Sequence, residues 1–247
     1  MKRQLIYRIA TLTALTFGLA ACGNSDDDPT PPAPQLAERG YSIEVTNMTA
    51  GQPFSPLVVA AHTNATRLFT VGAAASVPLE QVAEAGDNAP LLATLADDSN
   101  VFAQAGGAGI LMPGASETLM LDLELMEAQL VDIRISGLTM LVNTNDAITA
   151  AQNVDVTNLA VNDSITLTAV VYDAGTEANT ETADTIPGPA AAGGAQEGFN
   201  AVRDDVRDQV HAHAGVVTAD DGLGNSVLGA AHRFDNPAMR VVITRTQ

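Results

Sequence analysis

The chain has 247 residues, with 11 Lys+Arg against 29 Asp+Glu and a formal charge of -18. So acidic a surface repels nucleic acid and anionic lipid headgroups, which excludes a nucleic-acid partner, and it tolerates divalent cations. With no Trp, three Tyr and six Phe, the aromatic platforms that stack sugars or bases are scarce.

Residues 1–21 are ordered as a secretory signal peptide. A basic start (Lys2, Arg3, Arg8) leads into an apolar run through Leu12, Ala14, Leu15, Phe17 and Leu19, then Ala20-Ala21-Cys22-Gly23. The run is shorter than the roughly 20 apolar residues of a membrane-spanning helix. Cys22, the only cysteine, fits a lipobox. The expectation is a bacterial lipoprotein, cut before Cys22, diacylated on its thiol and anchored to the membrane by that lipid. Gly23, rather than an acid, points to the outer membrane and leaves surface exposure open. Of the 11 basic residues three precede Cys22, which leaves eight against 29 acids, a charge of -21. Without a second cysteine, no internal disulfide supports the fold.

Residues 22–40 include Asp26-Asp27-Asp28-Pro29-Thr30-Pro31-Pro32-Ala33-Pro34, a polar, acidic, Pro-rich stretch expected to be a disordered tether. The folded domain is expected over 41–247. Tyr41 to Asn47 alternates apolar and polar residues as a half-buried strand does, and Pro56 to His62 reads as a more buried strand. Val77–Ala85 and Ala89–Ala96 read as short helices, with Pro78 and Pro90 in their first turns. Gly106 to Gly109 reads as a loop. Strands follow at Thr118–Leu125, Leu130–Ile135, Leu138–Val142, Ser164–Tyr172 and Met239–Thr246. Thr185–Gly198 is a long Pro/Gly/Ala loop, and Val202, Val206 and Val210 have the spacing of a short surface helix. Strands dominate, so the fold class is all-β, an antiparallel β-sandwich with a few short helices in its connections.

Two acidic segments close strands: Val142-Asn143-Thr144-Asn145-Asp146 and Val171-Tyr172-Asp173-Ala174-Gly175-Thr176-Glu177. Carboxylates at strand ends can collect the oxygen ligands that Ca²⁺ wants. Asp and Asn serve as readily as turn formers that bond their own backbone. Spacing alone leaves both readings open.

The chain resembles the spondin N-terminal domain family, the domain of F-spondin and mindin. The matching pieces run in family order: Tyr41–Asn47 with Gly51-Gln52-Pro53-Phe54-Ser55-Pro56, Leu68–Gly72, Glu84-Ala85-Gly86-Asp87-Asn88, Met140–Asp146, Tyr172–Glu177, Ile186-Pro187, and Asn236-Pro237 through Arg245. The resemblance implies a C2-like sandwich, a Ca²⁺ site in its loops, and extracellular adhesion to a protein or glycan ligand. The family's metal carboxylates map onto Asp146 and Asp173. A third maps onto Glu124 by the Leu-Glu-Leu pattern, or onto Glu127 without a gap.

His211-Ala212-His213 puts two imidazoles at i and i+2, which point to one side of a strand and could bind Zn²⁺ or Cu²⁺, with Asp220, Asp221 and His232 nearby. The plainer reading is a pair of surface histidines. No Gly-x-Ser-x-Gly elbow, phosphate-cradling loop or HExxH occurs. The functional expectation is a non-catalytic, lipid-anchored binding or adhesion module of the cell envelope. The alternatives are a metal-dependent hydrolase using His211 and His213, and a structural envelope protein without a ligand.

Overall fold

The computed structural model describes residues 36–247. The expected signal peptide, Cys22 and the tether as far as residue 35 lie outside the described residues. Ten strands and two short helices follow in chain order: β1 (Leu36–Asn47), β2 (Val58–His62), α1 (Val77–Ala85), α2 (Ala89–Asp97), β3 (Val101–Gly106), β4 (Ser116–Met126), β5 (Arg134–Met140), β6 (Ala147–Asp155), β7 (Ser164–Ala169), β8 (Val171–Asp173), β9 (His211–Ala212) and β10 (Met239–Arg245). They build a four-stranded sheet, β4-β1-β10-β7, and a six-stranded sheet, β3-β2-β5-β6-β8-β9. Every pairing is antiparallel. The fold is the expected all-β sandwich.

Alternation decides which face of the four-stranded sheet turns inward. In β1, Tyr41, Ile43 and Val45 are buried while Ser42, Glu44 and Thr46 are less so. Ile43 faces Ile243 of β10 and Leu119 of β4, and Val45 faces Val241. These side chains meet Val59, Ala61 and Ile135 of the other sheet in the main core. All five residues of β2 are buried because its second face is covered too. There Val58, Ala60, Leu138 and Ile148 pack under Leu79, Val82 and Ala83 of α1 and Leu91 and Leu95 of α2. The helices thus make a third layer over the six-stranded sheet.

Local signals set the helix bounds. The Ser76 hydroxyl accepts from the Leu79 N–H at 3.4 Å at the start of α1, and Gly86 ends it with φ +65°. Both helices carry Pro in their first turn.

Several expectations are corrected. The sheet begins at Leu36, not Tyr41, because residues 36–40 of the expected tether pair with Met126–Asp122 of β4. The expected strands Leu130–Ile135 and Leu138–Val142 are one strand, β5, preceded by a 3₁₀ turn at Glu127–Gln129. Ser164–Tyr172 is two strands in different sheets, β7 and β8. Strands β3 and β6 carry no clear period-two pattern. The expected helix around Val202–Val210 does not form: Val202 and Val206 are 75% and 92% exposed, so its apolar side has nothing to bury against.

Candidate metal centre

The turn joining β5 to β6 runs through Leu141–Asp146, and four polar residues in it are buried: Asn143, Thr144, Asn145 and Asp146. Each is tied down. The Thr144 hydroxyl donates to the Leu141 carbonyl at 2.6 Å and accepts from the Ala147 N–H at 3.1 Å, closing the turn. Asn143 donates to the Gly51 carbonyl and accepts from the Ala190 N–H. Asn145 donates to Glu177 Oε1 at 3.1 Å and accepts from the Glu181 N–H at 3.1 Å. The turn is a hub that fastens three loops to one end of the six-stranded sheet.

Asp146 lies at the centre of that hub. Its Oδ2 accepts from the Thr176 N–H at 2.8 Å, the Glu177 N–H at 3.2 Å and the Thr176 hydroxyl at 3.3 Å. Its Oδ1 is buried and has no hydrogen-bond partner among the described residues. Burial, and then the charge of Asp173, push its pKa up to about 7, against the pull of the two N–H donors.

Asp173 ends β8, directly across from Ala147 of β6 and His211 of β9. Its Oδ1 accepts from the Gly175 N–H at 2.8 Å, and its Oδ2 accepts from the Asn179 amide at 2.7 Å. His211 Nδ1 stands 3.8 Å from that Oδ1. Gly175 has φ +73°, and a Cβ there would sit 2.3 Å from the Gln209 carbonyl oxygen and 2.6 Å from that of Arg207. Only glycine lets these two carbonyls approach the loop after Asp173.

More acid surrounds the pair. Glu177 is pushed up to about 8, chiefly by burial, with the charges of Glu84, Asp146 and Asp204 adding to it. Glu84 of α1 is buried, accepts from the Asn200 N–H at 2.8 Å, and is likewise raised by burial. Among the described residues no Lys or Arg forms an ion pair with Asp146, Asp173 or Glu177. Buried carboxylates without cations demand protons or a metal.

Asp146 and Asp173 are therefore brought together. Glu124 is not with them: it stands on the exposed face of β4 in the other sheet, paired in register with Glu38. The alternation that buries Leu123 and Leu125 turns Glu124 outward. Glu127 is exposed in the 3₁₀ turn. The donors that do gather are Asp173, Asp205 and His211, one ligand atom of each lying within 4.8 Å of the others. Asp221 is instead held by Thr218 and Arg233. His213 is buried edge-on against Phe234, 5.2 Å between centroids, and its Nδ1 accepts from the Gly215 N–H. Neither Asp205, which falls in the segment expected as a short surface helix, nor Glu177, which closes the Tyr172–Glu177 motif, was marked by sequence.

A family model, Spondin_N, matches residues 45–191, a span that includes Asp146 and Asp173 and stops short of Asp205 and His211. No curated protein matches the chain.

Proposed function

The chain belongs to the spondin N-terminal domain family, and on that premise we propose that it is a non-catalytic binding and adhesion module whose loops are ordered by Ca²⁺ at Asp146 and Asp173. Family membership supports the coarser part, an extracellular binding domain. The Ca²⁺ part rests on one observation: the buried, unpartnered Oδ1 of Asp146 beside the Asp173 carboxylate. An oxygen-only pair of carboxylates, with amide and carbonyl oxygens in the same loops, suits a hard cation. The ion would neutralise charge that no Lys or Arg among the described residues neutralises, and would stiffen the loops that meet a partner.

The protein is held at the envelope by a lipid on Cys22, and its ligand is an extracellular protein or glycan. Ca²⁺ titrated into the purified chain should release or absorb measurable heat and raise the melting temperature. The stabilisation is about 2.7 kcal/mol at a hundredfold excess over Kd. Asp173→Ala should abolish both effects. Absence of heat and of any shift in the wild type would end the Ca²⁺ reading. Metabolic labelling with a radioactive fatty acid, lost in Cys22→Ser, tests the anchor.

A further inference from the structure

We infer that Asp173, Asp205 and His211 form a nitrogen-bearing cation site that takes a borderline divalent ion of the Zn²⁺ class. The site shares Asp173 with the Ca²⁺ position proposed above but does not depend on it. Asp205 and His211 lie beyond the span matched by the family, so the site belongs to this chain's own C-terminal third.

The topology makes the site. Asp173 and His211 are cross-strand neighbours on β8 and β9, so their side chains stand on the same face of the sheet. Asp205 arrives on the segment before β9, and that segment is fastened on both sides of it. Arg203 reaches Glu80 of α1 at 2.6 Å and the Ala75 carbonyl at 2.8 Å. Val210 is buried and exchanges backbone bonds with Gly72 and Ala73. Asp204 adds a third tie, its carboxylate accepting from the Ala178 N–H at 2.8 Å. The three donors meet without belonging to one turn.

One further buried group nearby is open to a cation. Asp146 Oδ1 is buried and has no hydrogen-bond partner among the described residues, and Asp146 stands within electrostatic reach of Asp173. A carboxylate oxygen beside the cluster is thus left without a donor. The His211 side chain is itself lightly held: among the described residues its one hydrogen bond runs from Nδ1 to the Gln209 carbonyl at 3.1 Å. Two carboxylates and an imidazole, with the remaining coordination open to water or a partner's side chain, suit zinc, whereas calcium takes oxygen alone.

The test uses the full chain with Cys22→Ser in every protein, so that no thiolate takes the metal. Zn²⁺ is titrated calorimetrically, and Co²⁺ is added separately to read the ligand field from its visible absorption. We expect His211→Ala and Asp205→Asn each to weaken Zn²⁺ by at least about tenfold, a loss that even outer-shell partners of metal ligands can produce. His211→Ala should also erase the Co²⁺ band. His232→Ala, outside the site, should change neither. Ca²⁺ affinity in His211→Ala should stay within about twofold of the parent. The proposal is overturned if the parent does not bind Zn²⁺, or if His211→Ala, still folded, binds it as tightly. It is overturned equally if His211→Ala loses Zn²⁺ and Ca²⁺ in parallel, because one common site is then at work. Zn²⁺ binding through His211 in a protein that ignores Ca²⁺ upholds the zinc site and removes only the calcium reading.

Discussion

Arg203 grips Glu80 across 123 positions of sequence through two contacts, Nε to Oε1 at 3.0 Å and Nη2 to Oε2 at 2.6 Å. Glu80 is 2% exposed, so the loop carrying Asp205 is fastened to α1 at a carboxylate that water barely reaches. Removing the guanidinium strands that charge. Arg203→Ala should cost about 3 kcal/mol in urea unfolding, the low end for breaking a buried pair, because the Arg203 side chain keeps 22% of its surface in solvent. Arg203→Lys should recover only part of the loss, since an ammonium cannot make the parallel fork.

That contact was not legible in the sequence, and the reason is general to the long segment from Phe199 to Val210. Valines at i, i+4 and i+8 describe a helix only if one side of it has something to cover. Here Val202 and Val206 stay in solvent and only Val210 enters the core. The segment takes its shape from polar contacts at Arg203 and Asp204 with partners far away in sequence. The helices α1 and α2 were legible almost to the residue, because Pro78, Pro90, Ser76 and Gly86 act within a single turn. Strand β6, Ala147–Asp155, was not: its first five residues are all buried, with no polar face to reveal the period. At the candidate metal centre, Asp146 and Asp173 could be marked by their motifs. Glu124 could be mapped as a third ligand only by local pattern, and that pattern is the one that turns it outward.

His62 is wholly buried, with Nδ1 donating to the Thr63 carbonyl at 2.7 Å and Nε2 accepting from the Ser136 hydroxyl at 2.8 Å. Burial holds its pKa below the ordinary 6.5. As pH falls through 6.5 the unfolded chain takes up a proton that the folded chain refuses, so stability from this group is present above 6.5 and lost below it. Urea unfolding from pH 8 to pH 5 should show the wild type losing more stability over the acid limb than His62→Gln does. Parallel profiles for the two proteins would contradict this.

Gly175 should tolerate no side chain. Its φ of +73° and the two carbonyl oxygens within 2.6 Å of a built Cβ leave alanine both strained and crowded. Gly175→Ala should lower the melting temperature and weaken divalent-cation binding together, because the displaced loop carries the N–H that holds Asp173 Oδ1. Gly193, also at positive φ but with open space around it, provides the control: Gly193→Ala should carry backbone strain alone and lower the melting temperature without changing cation binding.

Binding of a cation at Asp146 should expel a proton. With its pKa raised to about 7, the carboxyl is substantially protonated at pH 6 and largely ionised at pH 8, and only the ionised form is a ligand. Ca²⁺ affinity should therefore rise between pH 6 and pH 8, by up to about tenfold per pH unit below the pKa if one proton is displaced. Without metal the same group works the other way on stability. Its folded pKa lies above the unfolded value of 3.8, so its contribution is fullest in acid and declines as pH climbs towards 7. Added Ca²⁺ should cancel that decline. Titrations at pH 6.5 in two buffers of different ionisation enthalpy read the proton directly, since the two apparent heats must differ by the difference in those enthalpies times the protons released. Asp146→Asn should remove the pH dependence together with most of the affinity. A wild-type affinity that is flat across this range would show that Asp146 does not meet the ion.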